Sequence, residues 1–242
     1  MVVNISVLKK TGWLFSLALF MLFSSCVTDI SGQVRTGGAA QLTLSTSMGP
    51  RTTALISALR MFSGEGANAP ILDGPTISHS LSLAPGVRSV SLSNTRADTM
   101  RGNISISNIG DFLALPNTES RFITFTESRE ASTIVVNLDR ASAPQLISLF
   151  SPEITGYLSA LMAPVVLGET MSAREYLDLV ASIYSRPLAN EIAEARIHGI
   201  LEFPRSITSI QGGTFSGNKA EFDIPLLDIL LLEKPLRYEL SW

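Results

Sequence analysis

A chain of 242 residues has room for one large domain or two small ones, and its 45% hydrophobic and 16% charged composition excludes a disordered polymer. The net charge is -3, and lysine occurs only at positions 9, 10, 219 and 234. With the arginines scattered, this excludes a phosphate-tracking nucleic-acid face and a polybasic membrane patch. A single cysteine, Cys26, excludes an internal disulfide.

The first element is a hydrophobic leader. MVVNISVLKK carries Lys9 and Lys10, and the 15 mostly apolar residues TGWLFSLALFMLFSS follow. A membrane-spanning helix needs about 20 such residues. A basic start, a short apolar run and small residues before a cut describe a secretory signal peptide. Ser24 and Ser25 are the small residues, which let a peptidase approach the backbone, and Cys26 follows them. Cleavage there takes Lys9 and Lys10 from the 18 basic residues and nothing from the 21 acidic ones, so the net charge falls to -5.

FSSC resembles a bacterial lipobox, with Phe23 where leucine is usual and Leu22 one place earlier. Relaxed motifs of this kind are similar to those of spirochaetal lipoproteins. The resemblance implies a diacylglyceryl group on the Cys26 thiol, cleavage before Cys26 and acylation of its new amine. Two or more acyl chains anchor a protein stably where one does so marginally. A catalytic thiol would need a base beside it, and the two histidines, His79 and His198, lie far along the chain. The implied organisation is a signal peptide over 1–25, a lipidated N-terminus and short tether over 26–38, and a single domain over 39–242. Val27 after the cysteine lacks the aspartate of the simplest inner-membrane retention pattern, and the choice of membrane stays open.

Strand signals dominate the first half of the body. AAQLTLSTS alternates at Leu42 and Leu44. TTALISALRMF has apolar residues at one-turn spacing and predicts a helix. GEGANAPILDGP is a loop. HSLSL alternates at Leu81 and Leu83, and after a Pro-Gly turn Val87, Val90 and Leu92 predict a strand. RGNISISNIG, RFITFTES and STIVVNLD add three more, giving four or five strands in antiparallel order. Helices follow: SAPQLISLF, then SPEITGYLSALM with Ser151 as cap and Pro152 in the first turn. APVVLGE breaks the run. In SAREYLDLVASIY, Ser172 and Glu175 form a capping-box pair, and Tyr176, Leu179, Val180 and Ile183 form an apolar stripe. RPLANEIAEARI continues the helices as a further helix or a strained extension, since Pro187 interrupts hydrogen bonding. HGILEF, RSITSI, KAEFDIPLLDILLL and PLRYELSW return to strands, with QGGTFSG as a link. Trp242 is expected to be tied into the sheet. Strands, helices and strands again predict an α+β fold, a mostly antiparallel sheet with several helices packed over one face.

Chemistry-bearing motifs are sparse. His79 and His198 with a lipidated cysteine do not make a zinc site. No G-x-S-x-G elbow or G-x-G-x-x-G loop occurs. Asp223, Asp228 and Glu233 match no calcium-loop spacing and read as turn caps, edge protection or arginine partners. Gly37-Gly38 and Gly212-Gly213 read as turns. The apolar run IPLLDILLLEKPL reads as a covered inner strand or short helix, or as one wall of an apolar groove. SPEITGYLSALMAPVVLG is a candidate for a second wall. The ending GTFSG…FDIPLLDILLLEKPLRYELSW also resembles the terminal segment of uncharacterised spirochaetal lipoproteins.

The expectation is a non-enzymatic, lipid-anchored protein of a bacterial cell envelope, facing the periplasm or the cell surface. It has a structural, interaction or binding role, no cofactor and no nucleic-acid partner. The alternative is a binding protein for a lipid or another apolar ligand. An envelope hydrolase built from distant residues is the third reading. Partners are then the membrane, held through the N-terminal acyl chains, and either an apolar ligand or another envelope protein.

Overall fold

The computed structural model describes residues 27–63, 71–113, 122–128, 130–148, 159 and 161–242. The leader with Ser24, Ser25 and Cys26 lies outside these residues. So do the GEG of the first loop and most of SPEITGYLSALM with its Ser151 cap.

The segment expected to be a tether is instead a central strand. Val27–Val34 form β1, paired antiparallel with β2 (Ala40–Ser47) and parallel with β7 (Arg196–Glu202). Its alternation is real but masked by residue type. Ile30 and Val34 point inward, while the two other inward positions are Thr28 and Gly32. Gly32 is required there, because a Cβ would sit 2.2 Å from the Gln41 carbonyl oxygen.

The fold is α+β and mostly antiparallel, and its strands divide between two sheets. The larger has the order β3 (Val87–Arg96), β4 (Thr99–Ile106), β2, β1, β7, β10 (Lys219–Pro225) and β9 (Thr214–Ser216). The smaller has the order β5 (Ile123–Glu127), β6 (Ser132–Leu138), β11 (Leu236–Ser241) and β8 (Ser209–Gln211). The β1–β7 pairing is parallel, and the other pairings between described strands are antiparallel. RSITSI contributes only its last two residues to β8, and the QGGTFSG link contains β9. Gly212 (φ +81°) lies at the crossing from one sheet to the other, packed so closely on Tyr238 that a Cβ would meet its ring at 2.5 Å. Trp242 is buried, and its backbone exchanges hydrogen bonds with Ser132 at 2.9 and 3.0 Å.

The helices are α1 (Pro50–Ser63), α2 (Gly74–Ser82), α3 (Ile109–Leu113), α4 (Ala143–Ser148), α5 (Ala163–Val166), α6 (Ala173–Ile183), α7 (Arg186–Glu194) and α8 (Leu226–Leu231). Three differ from the sequence reading. HSLSL belongs to α2 and not to a strand: Asp73 caps it by accepting from the Thr76 N–H at 3.2 Å, and Pro75 sits in its first turn. APVV forms the short α5 where a break was expected. Pro187 starts α7 without strain, because a proline in the first turn lacks only an N–H that has no helical partner. The Ser172–Glu175 capping box forms as predicted: the Ser172 hydroxyl accepts from the Glu175 N–H at 3.3 Å, and the Glu175 carboxylate accepts from the Ser172 N–H at 2.9 Å.

Two apolar cores result. One joins α4 to α8 with Leu138 of the smaller sheet and with Phe122, the residue before β5. The other gathers Val34, Ala40, Ile106, Phe203, Leu240 and Trp242 at the opposite end of the strands.

Candidate functional site

The two sheets face each other across a cleft of ≈ 430 Å³. β1, β7 and β10 supply Ile30, Ile197, Leu201 and Phe222 to one wall. β6 and β11 supply Ile134, Val136 and Tyr238 to the other. No polar atom is exposed on the lining, although Glu239 is among its residues. Phe222 and Tyr238 touch edge to face across the sheets, with ring centroids 6.1 Å apart. Phe203, itself part of the lining, packs at a tilt against Trp242, with ring centroids 4.6 Å apart, and marks one end of the cleft. Burial, with Asp228 and Asp223 nearby, raises the Tyr238 hydroxyl above the usual phenol range and keeps it neutral.

Gly199 stands at the middle of the β7 wall, between Ile30 of β1 and Phe222 of β10 in register. A Cβ built there meets only Phe222, at 3.8 Å, an ordinary contact. This glycine therefore leaves space rather than serving a turn.

A second recess of ≈ 360 Å³ lies among the helices. Leu55 and Ile56 of α1, Leu179 and Ile183 of α6, Leu188 and Ile192 of α7, and Leu226 and Leu230 of α8 line it. Leu161, Ala163, Pro164 and Leu167, from the segment that suggested a second groove wall, line it too. Tyr176 sits at its base, donating to the Leu161 carbonyl at 3.0 Å. Burial, with Tyr184 nearby, pushes the Tyr176 hydroxyl up to about 12. The α6 stripe is thus split: Tyr176 and Val180 are buried, while Leu179 and Ile183 are 42% and 62% exposed.

Glu191 of α7 positions α1 against this groove. Its carboxylate accepts from the N–H groups of Arg51 and Thr52 at 2.7 and 2.9 Å and from the Thr52 hydroxyl at 3.1 Å. It serves as a cap supplied from another helix, meeting the unsatisfied first-turn donors of α1. Glu191→Ala is expected to cost about 1–2 kcal/mol, the scale of losing a helix cap, read as a lower denaturant midpoint. An unchanged midpoint would mean that water caps α1 equally well.

α8 divides the two recesses. Ile229 faces the cleft between the sheets, while Leu226 and Leu230 face the helical groove. Its end is held by Arg140, whose guanidinium donates to the carbonyls of Leu231 and Leu232, each at 3.2 Å, and to that of Glu169. Leu232 takes the left-handed conformation, φ 42°, and is buried.

The residues that suggested polar chemistry do not converge. His79 is on α2, against β3 at the edge of the larger sheet, and His198 is on the central strand β7, 3.9 Å from Glu221. Asp223 pairs with Arg196 at 2.8 Å, as an arginine partner would. Among the described residues no group of three or more His, Cys, Asp or Glu is placed to hold a metal ion, and no helix is long and apolar enough to cross a membrane. Gly199, Glu191 and Arg140 shape the two recesses without standing out in the sequence. Gly199 had a signal, a glycine at an inward position between Ile197 and Leu201. Glu191 and Arg140 had none, since the partners of Glu191 lie 139 and 140 positions away and those of Arg140 lie 29, 91 and 92 positions away.

No protein-family model matches the chain, and no curated protein does. A solved structure overlaps it loosely: the NMR structure of the folded domain of Mycobacterium tuberculosis LppM. The two share 11% identity at a TM-score of 0.42, over 90% of this chain and 88% of that one. That likeness assigns no function and no site residue here.

Proposed function

We propose that this protein is a lipid-anchored, non-enzymatic binding protein of a bacterial cell envelope, and that its ligand is an apolar chain lodged between the two sheets. The anchor reading rests on the FSSC motif, the basic residues before the apolar run of the leader and the absence of a base near Cys26 in the sequence. The observation that carries the binding reading is the cleft, whose lining exposes no polar atom. Its ≈ 430 Å³ falls within the range of about 300–1,000 Å³ typical of small-molecule sites. Apolar wall left facing water costs roughly 25 cal/mol per Å², so an acyl-like occupant is stabilised without any hydrogen bond. Such a site selects by shape and hydrophobicity and supplies no nucleophile, acid or base to a substrate.

The test uses protein purified from native membranes. Mass analysis is expected to show an acylated Cys26 with residues 1–25 absent, and organic extraction to release an apolar molecule close to one per chain. An intact Met1 or a free thiol at position 26 would defeat the anchor. An empty extract together with failure to take up a fluorescent long-chain fatty acid would defeat the ligand.

A further inference from the structure

We infer that the helical end of the domain rests on the bilayer that holds Cys26, with the rim of the helical groove as its contact face. This rests on the lipid-anchor reading above. The strand register determines which end is which. Val27, the residue after Cys26, pairs with Ser47 on one side and Arg196 on the other, and Arg196 pairs with Pro225. From that end β2 leads into α1, α7 leads through Ala195 into β7, and β10 leads into α8. These are helices that line the groove, and Ala195 lines it as well.

The exposed large apolar side chains follow the same polarity. Leu167, Leu179, Ile183 and Tyr184 line the groove and are exposed, Leu167 at 70%, and exposed Val166 adjoins them. The other two among the described residues, Leu83 and Phe215, lie singly at the opposite end. Leu83 precedes Val87, which pairs with Ile106, and Phe215 pairs with Ala220 of β10 near its start. A contiguous exposed apolar rim marks an interaction surface, whereas scattered single residues do not. Tyr184 suits a position where one end is apolar and the other wet. Charges of both signs stand beside the rim: Asp178 pairs with Arg186 at 2.9 Å and approaches Arg174 at 4.0 Å, and Glu169 lines the groove. The contact is therefore hydrophobic rather than a single-sign attraction to anionic headgroups. The occupant is lipid because the chain carries its own anchor to this end, with no residue between Cys26 and β1 to lift the rim away. Amphipathic helices seat their apolar faces about 5–10 Å into the headgroup boundary, and this rim meets the bilayer in the same way.

The experiment uses the lipidated full protein in phosphatidylethanolamine–phosphatidylglycerol vesicles containing acyl-brominated lipid. With Cys26 acylated, a single new cysteine takes an environment-sensitive fluorophore. Variants Val166→Cys and Ile183→Cys probe the rim, Val166 lying outside the groove lining, and Phe215→Cys probes the opposite end. Fluorescence loss to bromine is expected at 166 and 183 and not at 215, and to persist when phosphatidylglycerol is omitted. Equal loss at all three positions, or none at 166, overturns the contact face. Mass analysis of the same samples separates the two readings. Acylated Cys26 with an unquenched 166 probe rejects the contact face and leaves the anchor standing. Unmodified Cys26 rejects the anchor, and the contact face with it.

Discussion

Gly199→Leu is expected to weaken apolar-ligand uptake more than tenfold while the domain stays folded. The added side chain enters the cleft from the middle of β7, where a Cβ meets only Phe222 at ordinary contact distance. If it displaces two methylenes of a bound chain, the loss at about 0.8 kcal/mol per methylene exceeds the 1.4 kcal/mol that makes a tenfold change in Kd. Gly199→Ala is the matched control. It adds only the Cβ and removes backbone freedom from the unfolded chain, and is expected to raise stability by roughly 0.5–1 kcal/mol with uptake almost unchanged. Titration with a fluorescent long-chain fatty acid, beside a denaturant melt, reads both quantities. A leucine variant that is stably folded and binds like the parent would show that the ligand does not occupy this cleft.

Arg140→Ala is expected to produce the largest loss of stability among these substitutions. One guanidinium closes the last turn of α8 and ties it to the loop at Glu169. Removing it leaves terminal carbonyls of α8 unpaired beside the buried Leu230, Leu231 and Leu232. Hydrogen bonds from a charged donor contribute about 1.5–3 kcal/mol each when buried. Discounted for partial exposure, the three together suggest a loss of about 3 kcal/mol, or a Tm lower by roughly 6–12 °C for a domain of this size. The left-handed Leu232 sharpens the effect. Its conformation costs about 1–2 kcal/mol, offset by burial of the side chain and by Arg140 at its carbonyl. Arg140→Lys keeps the charge but not the planar fork, and is expected to recover less than half of the loss. A thermal melt in which the alanine variant matches the parent would mean that water serves these carbonyls as well as the arginine does.

The elements written in clean alternation were legible. β2, β4, β5, β6 and β11 stand where Leu42, Ile104, Phe122 and its neighbours, the STIVVNLD run and Tyr238 placed them. Ser172 and Glu175 located the start of α6 because a capping box is satisfied within four residues. β1 was not legible, because Thr28 and Gly32 hold inward positions and break the apolar signature without breaking the pleat. In α2 the local alternation of Leu81 and Leu83 coincided with the end of a helix whose start, Asp73-Gly74-Pro75, carried the stronger signal. The groove was half visible. The stripe on α6 and the leucines of α8 announced apolar faces, but hydrophobic pattern does not distinguish a face covered by the chain from one left open. Leu179 and Val180 are neighbours on the same stripe with opposite fates. The cleft between the sheets was hidden, since the smaller sheet assembles from segments 123–127, 132–138, 209–211 and 236–241 and no local pattern reports that β11 lies between β6 and β8.

The replacement of an expected tether by β1 limits how far an anchored protein of this kind ranges. Eight strand residues at about 3.3 Å each span roughly 26 Å, and they are fixed in the body of the domain rather than left as slack. With the proposed attachment at Cys26, the molecule would have no leash. Its distal aromatic end, around Phe203 and Trp242, stands about one strand length from the anchor. A protein so attached would exchange an apolar ligand with the membrane beneath it or with a partner that comes to it, rather than carry it across the width of an envelope.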